Sequence, residues 1–165
     1  SRRWDALLSP FLYIFYSIPK VVFLPVIIVV LGLGDFPKIF IIAITVFFQI
    51  AIMVRDAAKA IPEEQVMTMR SLCGTKWQDF RHLIWPACLP GILTALRTSL
   101  GIALALLFIT ETFAAFSGLG YFIMNRMEVR NYEEMYAAIL TLAAIGIIAY
   151  MALDIAERKL CPWKK

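Results

Sequence analysis

Long apolar runs separated by short polar ones dominate the chain. Four of them, at about residues 10–33, 36–54, 91–115 and 132–153, reach the roughly 20 residues a helix needs to cross a bilayer. They are too long for strands, lack alternation, and are rich in Ala, Leu and Ile, so they predict helices. The first run contains Pro19, Lys20 and Pro25. Proline removes a backbone donor and kinks a helix. The expectation is therefore an interfacial helix over about 5–17 leading into a bent span over about 20–33. The turn Gly32-Leu33-Gly34-Asp35 ends that span. Arg55-Asp56 closes the second run, and Lys59 and Glu63-Glu64 mark its exit into water. The third is expected to start at the turn Pro90-Gly91, and the fourth ends in Asp154, Glu157, Arg158 and Lys159.

The segment between the second and third runs, residues 55–90, is patterned differently. Pro62-Glu63-Glu64-Gln65 opens a short amphipathic helix, since proline suits a first turn and carboxylates favour the positive helix end. That helix is expected to run to Leu72, with a break at Cys73-Gly74-Thr75. A second helix, Lys76 to Trp85, should then run into Pro86. Together they place Met67, Leu72, Trp77 and Phe80 beside Arg70, Lys76 and Arg81. The pattern fits an interfacial helix resting on headgroups and equally a docking knob for a soluble partner.

Composition turns the helical reading into a membrane one. Of the 165 residues 61% are hydrophobic and only 17% charged, against about 45–50% and about 25% in soluble domains. A fold this small cannot hide that surplus, and a bilayer can. The fold class expected is an all-α polytopic membrane protein, a single domain of about four spans.

The net charge of +4 is distributed unevenly. One side collects Arg2, Arg3, Arg55, Lys59, Arg70, Lys76, Arg81, Arg158, Lys159, Lys164 and Lys165. The other holds Lys38, Arg126 and Arg130, balanced by Asp35, Glu128, Glu133 and Glu134. Positive loops face the cytoplasm, so both ends and the 55–90 segment are expected inside, with Trp4, Trp77, Trp85 and Trp163 near that interface. The same distribution argues against nucleic acid as a partner.

Cys73, Cys88 and Cys161 lack metal-ligand spacing, and His82 is the one histidine. No metal, cofactor or catalytic cluster is expected. On the cytoplasmic side the thiols should be reduced. No phosphate-binding G-x-x-x-x-G-K-[ST] loop occurs, so any ATP chemistry belongs to another chain. The opening Ser1-Arg2-Arg3-Trp4 has no signal-peptide pattern and reads as the middle of a loop, hence a fragment or a naturally short form.

The run from Met67 to Ile92 resembles, without gaps, the EAA loop of ABC importer permeases (E-A-A-R-S-x-G followed by W-x-x-F and L-P-x-A-L-P). The resemblance extends through Ser17-Ile18-Pro19, Gly32-Leu33-Gly34-Asp35, Glu111-Thr112-Phe113-Ala114-Ala115, Ser117-Gly118-Leu119-Gly120-Tyr121 and Glu157-Arg158-Lys159-Leu160. It looks like the nitrate/sulfonate/taurine branch, whose members also carry bicarbonate, cyanate and pyrimidine precursors. It implies a type I importer bundle with about four spans in this chain, and about two more spans preceding them. It also implies coupling helices that dock on a cytoplasmic ATPase through Met67, Thr68, Met69, Arg70, Ser71, Leu72, Cys73, Gly74, Trp77, Phe80 and Arg81. Further implied partners are a periplasmic or lipid-anchored binding protein, a second permease copy (a homodimer) and membrane lipid. The implied location is a bacterial or archaeal inner membrane. The chain would be a transporter subunit and no enzyme. The alternative is a truncated or degenerate permease acting as a membrane scaffold. Two positions depart from the pattern: the glutamate falls on Met67 and the glycine on Cys73.

Inside the apolar runs, Glu111 stands out, because a mid-span carboxylate costs about 2.5–3.5 kcal/mol on insertion scales. It is a candidate pathway or gate residue with Gln49 and Ser117. The other reading is a carboxylate bonded to Thr110, Thr112 or a neighbouring helix end. Arg97 and Lys20 are expected to snorkel to headgroups, the other reading being an inner-gate cation. Thr94, Thr98 and Ser99 are expected to bond neighbouring helices or to face a pathway. Gly91, Ala95, Gly101, Ala103 and Ala105 should permit close helix approach. The outer loop 117–120 is expected to be flexible, either a re-entrant turn or gate scaffold or a glycine-rich cradle for an anion.

Overall fold

A computed structural model describes residues 2–71, 75–113 and 115–163, with the side chains of residues 2–4, 6 and 70 excepted. Leu72, Cys73 and Gly74, the expected break in the loop and three of the expected docking residues, lie outside the described residues, as does the Arg70 side chain. The described chain is helical: α1 (Arg2–Ser17), a 3₁₀ turn (Lys20–Phe23), α2 (Leu24–Leu31), α3 (Asp35–Lys59), α4 (Glu63–Ser71), α5 (Lys76–Asp79), a π segment (Phe80–Ile84), α6 (Trp85–Thr112), α7 (Leu119–Glu128) and α8 (Tyr132–Leu160).

Among the described residues, three helices are long and apolar enough to cross a membrane: α3, the unbroken stretch Lys76–Thr112, and α8. A fourth candidate is the pair Leu7–Ser17 and Lys20–Leu31, bent by 68°. The bend falls at Ile18-Pro19, as the prolines predict. Lys20, however, is no snorkelling residue. Its ammonium donates to the carbonyls of Tyr16 and Ile18, and to that of Phe15. It thus satisfies the acceptors that α1 leaves open at its C-terminus.

The unbroken stretch from Lys76 corrects a second expectation. Pro86 and Pro90-Gly91 do not end one helix and start another. The π segment lies immediately before Pro86, where the Trp85 N–H reaches back five residues to the Phe80 carbonyl. A proline ring clashes with the carbonyl four residues back. One wide turn resets the ladder, and the helix continues through the proline.

The bundle centres on α6, which packs on α3, α7 and α8. Gly91 allows the tightest approach to α3: a methyl group there would come within 2.6 Å of the Ala57 Cβ. Ala95 is fully buried, as expected for close packing, whereas a Cβ on Gly101 would meet open space. Thr98 bonds within α6 to the Ala95 carbonyl at 3.0 Å and approaches Met53 Sδ on α3 at 3.5 Å. Few side chains are buried. Leu140, Ile147, Ile148 and Met151 of α8 are all exposed, which only an apolar solvent makes stable.

Two ion clusters tie helices together at the arginine-rich end. Asp5 of α1 accepts from Arg55 at 2.6 Å and pairs with Lys59 at 2.6 Å; Arg55 also reaches Ser9 and Tyr13. The Lys59 and Arg55 cations hold the Asp5 carboxyl down at about 2. A depressed carboxyl contributes stability above its unfolded value of about 4. That contribution is lost as pH falls from about 4 through about 2. The difference in Tm between the wild type and Asp5→Asn in detergent should therefore hold from neutral pH to about 4 and shrink below it; a difference independent of pH over that window would reject the clamp.

The second cluster corrects the reading of Arg97. It pairs with Asp154 at 3.0 Å and with Glu157, both on α8, and its guanidinium lies 5.2 Å from the centroid of the Tyr150 ring. Arg97 fastens α6 to α8 instead of reaching for headgroups.

Candidate functional site

At the arginine-rich end lie α4, which approaches the π segment, and α5, which leads into it. Thr75 caps α5: its hydroxyl accepts the Gln78 N–H at 3.4 Å, while the Gln78 amide oxygen accepts the Thr75 N–H at 2.8 Å. This reciprocal cap is spelled in the sequence as Thr75-x-x-Gln78 but was not among the features expected above. Behind it, Trp77 stacks on Phe80 with centroids 5.8 Å apart, and Phe80 contacts Trp85 at 6.4 Å. Met67 and Trp77 are about two-thirds exposed, and Phe80 and Trp85 nearly half. Thr68, Ser71 and Arg81 are exposed beside them and Met69 is half-buried. Thr68 and Ser71 spend their hydroxyls on the α4 carbonyls of Glu64 and Thr68. The surface is a ridge of large apolar side chains on short helices with a polar rim, the build of a protein-docking patch. Behind the ridge, Ile61, Pro62 and Gln65 face His82, Pro86 and Pro90 across a cavity of about 720 Å³.

At the opposite end, half of the expected flexible turn 117–120 is helix: Ser117 and Gly118 lie before α7, which starts at Leu119. Glu111 explains why. Its Oε2 accepts the Gly120 N–H at 2.7 Å, so the carboxylate caps the first turn of α7 and complements its dipole. Of the two readings of Glu111, the bond to a neighbouring helix end is the geometry found. Gly118 has φ +114°, and a methyl group on it would overlap the Glu111 carboxyl; one on Gly120 would sit 2.8 Å from the Phe108 carbonyl. Glycine at both positions is what lets α7 start against α6. Glu111→Gln keeps an acceptor but loses the charge, so it should cost about 0.3–1 kcal/mol. Glu111→Ala leaves the N–H bare and should cost about 1–3 kcal/mol. Thermal unfolding in detergent should rank wild type, Gln, then Ala, and equal midpoints would exclude the cap.

Glu111 and Ser117 share a cavity of about 390 Å³ with Asp35, Lys38, Ile39 and Ile42 of α3, Leu107 of α6 and Gly118. Gln49, the third expected pathway residue, sits half-buried on α3 and does not line it. Lys38 does, though the sequence reading counted it only as an outer charge. It is 7% exposed and bonds Asp35 at 2.9 Å. Its signal was a lysine enclosed by Pro37 and Ile39-Phe40-Ile41, three residues after an aspartate.

Known proteins place this arrangement. The taurine transport system permease protein TauC of Escherichia coli K12 is 28% identical over 95% of the chain. A putative aliphatic sulfonates transport permease protein, SsuC of Bacillus subtilis 168, is 30% identical over 99%. The formylaminopyrimidine transport permease protein ThiX of Halalkalibacterium halodurans is 27% identical over 100%. The chain spans 57%, 59% and 66% of these relatives, so about 60% of their length. A solved chain of the MetNI methionine ABC transporter, in an inward-facing conformation, superposes with a TM-score of 0.81 over 97% of this chain and 77% of that one, at 23% identity. The fold is thus that of an ABC importer permease. The sequence pattern of the binding-protein-dependent transport system inner membrane component matches residues 1–162, and the chain belongs to that family.

Proposed function

We propose that this chain forms the core of a permease subunit of an ABC importer, moving a small solute across the inner membrane. The solute class is a small anion or zwitterion such as nitrate, a sulfonate or taurine, or a related small metabolite. The observation that carries the reading is the exposed Trp77–Phe80–Trp85 aromatic ridge, with Met67 exposed on α4, set on a short helix that leads directly into α6. A cytoplasmic ATPase seated on that ridge would push on a continuous helix of 37 residues, so its closure would reach the far end of the bundle without a hinge. In this reading both chain ends and α4–α5 are cytoplasmic, consistent with the arginine-rich end. ATP is hydrolysed on the partner, a binding protein delivers solute at the Asp35 end, and a second permease copy completes the pathway. A scaffold without transport is the weaker alternative, because it gives no role to the ridge or to the far cavity.

The test is co-purification from membranes of the full-length protein with its ATPase, with and without residues 67–85. The complex should be lost on deletion while the permease remains in the membrane fraction. An intact complex after deletion would overturn the docking role.

A further inference from the structure

The cavity at the far end has a chemistry that capping alone does not explain. Lys38 is nine-tenths buried one turn into α3, between Pro37 and Ile41, which are themselves buried. An apolar residue would cost less there, since burial penalises an ammonium unless it is paired. An ammonium has three donors, and one of them goes to Asp35. The pairing aspartate is 79% exposed, so the pair sits at the mouth of the cavity with its carboxylate toward water. Across the space lie the exposed Ser117 hydroxyl and the Glu111 carboxylate, whose Oε2 is taken by Gly120. A volume of about 390 Å³ lies within the range of small-molecule sites, about 300–1,000 Å³.

The charges select among ligands. One ammonium and two carboxylates line the space. A plain anion would gain Lys38 and meet Asp35 and Glu111; a plain cation would meet Lys38. A molecule carrying both charges a few bonds apart satisfies both sets at once. We infer that the Lys38–Asp35–Ser117–Glu111 cavity is a binding site for a small zwitterion bearing an amine and an acid group. The acid group takes the free donors of Lys38 and the Ser117 hydroxyl, and the ammonium takes Asp35 and the free oxygen of Glu111. The inference rests on the permease reading, which puts the cavity on the side where solute arrives.

The test uses the full complex of permease and ATPase in nanodiscs, with lysine labelled biosynthetically with ¹³C at Cε. Lys38→Arg, or Lys38→Gln where that variant does not fold, assigns the Lys38 resonance. Taurine, methanesulfonate and ethylammonium are titrated separately at constant ionic strength. Taurine should move the Lys38 signal saturably, and methanesulfonate should bind at least about threefold more weakly. Ethylammonium should leave the signal in place. Asp35→Asn and Glu111→Gln should each weaken taurine at least about threefold while leaving methanesulfonate unchanged or tighter. No saturable shift with taurine, or equal responses to taurine and methanesulfonate, overturns the site. The same preparation reports on the ATPase: if it is retained and Lys38 is silent, the site fails and the permease reading stands; if it is absent, the permease reading fails.

Discussion

If the proposed docking holds, replacing Trp77 with alanine should weaken binding of the partner ATPase by about thirtyfold or more. The indole is two-thirds exposed yet fixed, because it stacks on Phe80 and starts a helix held by the Thr75–Gln78 cap. A large, ordered aromatic on a protruding ridge is the residue type that dominates binding energy, with truncations costing about 2 kcal/mol or more. At about 1.4 kcal/mol per tenfold, 2 kcal/mol is about thirtyfold in Kd. Phe80→Ala removes the stacking partner and should cost nearly as much; the double variant should cost less than the sum, because the two rings act as one unit. Thr75→Ala touches no partner but removes the cap, worth about 1 kcal/mol, so it should loosen docking by about fivefold. Binding of the purified ATPase to the permease in nanodiscs, read by interferometry, checks all four. Unchanged affinity for Trp77→Ala would place the ATPase elsewhere and return the ridge to the lipid headgroups.

The long helices were legible in the sequence because the bilayer demands a simple pattern, about 20 apolar residues between polar ends. The arrest of α2 at Gly32 and Gly34, where φ is +81° and +142°, was legible for the same kind of reason, since few other residues adopt that backbone. What escaped was set by tertiary contact. Pro86 and Pro90 read locally as breaks, but a π turn absorbs the first and the helix continues past both. Arg97 read as an interfacial cation because its partners, Asp154 and Glu157, are some 60 residues away. α7 was missed because it is short, and its start depends on a carboxylate nine residues before Gly120 in the chain. The candidate site divides the same way. The apolar and aromatic residues of the ridge follow from local pattern. The cavity does not, because Lys38 matters only through what α6 and α7 bring beside it.

That dependence makes Gly118 the most sensitive position outside the core. Gly118→Ala should destabilise the protein by more than either Glu111 substitution, by about 3 kcal/mol or more. Two effects combine. At φ +114° an L side chain is strained, at about 1–3 kcal/mol, and the added methyl group collides with the Glu111 carboxyl. Avoiding the collision displaces Glu111 and bares the Gly120 N–H, at a further 1–3 kcal/mol or so. The double variant Gly118→Ala/Glu111→Ala isolates the shared part. The Gly120 N–H is already bare in Gly118→Ala, so the double variant should be about as stable as Gly118→Ala alone, short of the sum of the two single losses. Gly120→Ala collides instead with the Phe108 carbonyl at 2.8 Å, a backbone oxygen that no truncation of Glu111 removes. Gly120→Ala/Glu111→Ala should therefore be no more stable than Gly120→Ala alone. Unfolding midpoints of the wild type, the three single alanine variants and the two double variants in one detergent test the scheme. Additive losses for Gly118→Ala and Glu111→Ala would show that Glu111 does not face the turn; a Gly118→Ala no less stable than Glu111→Ala would show that strain contributes nothing.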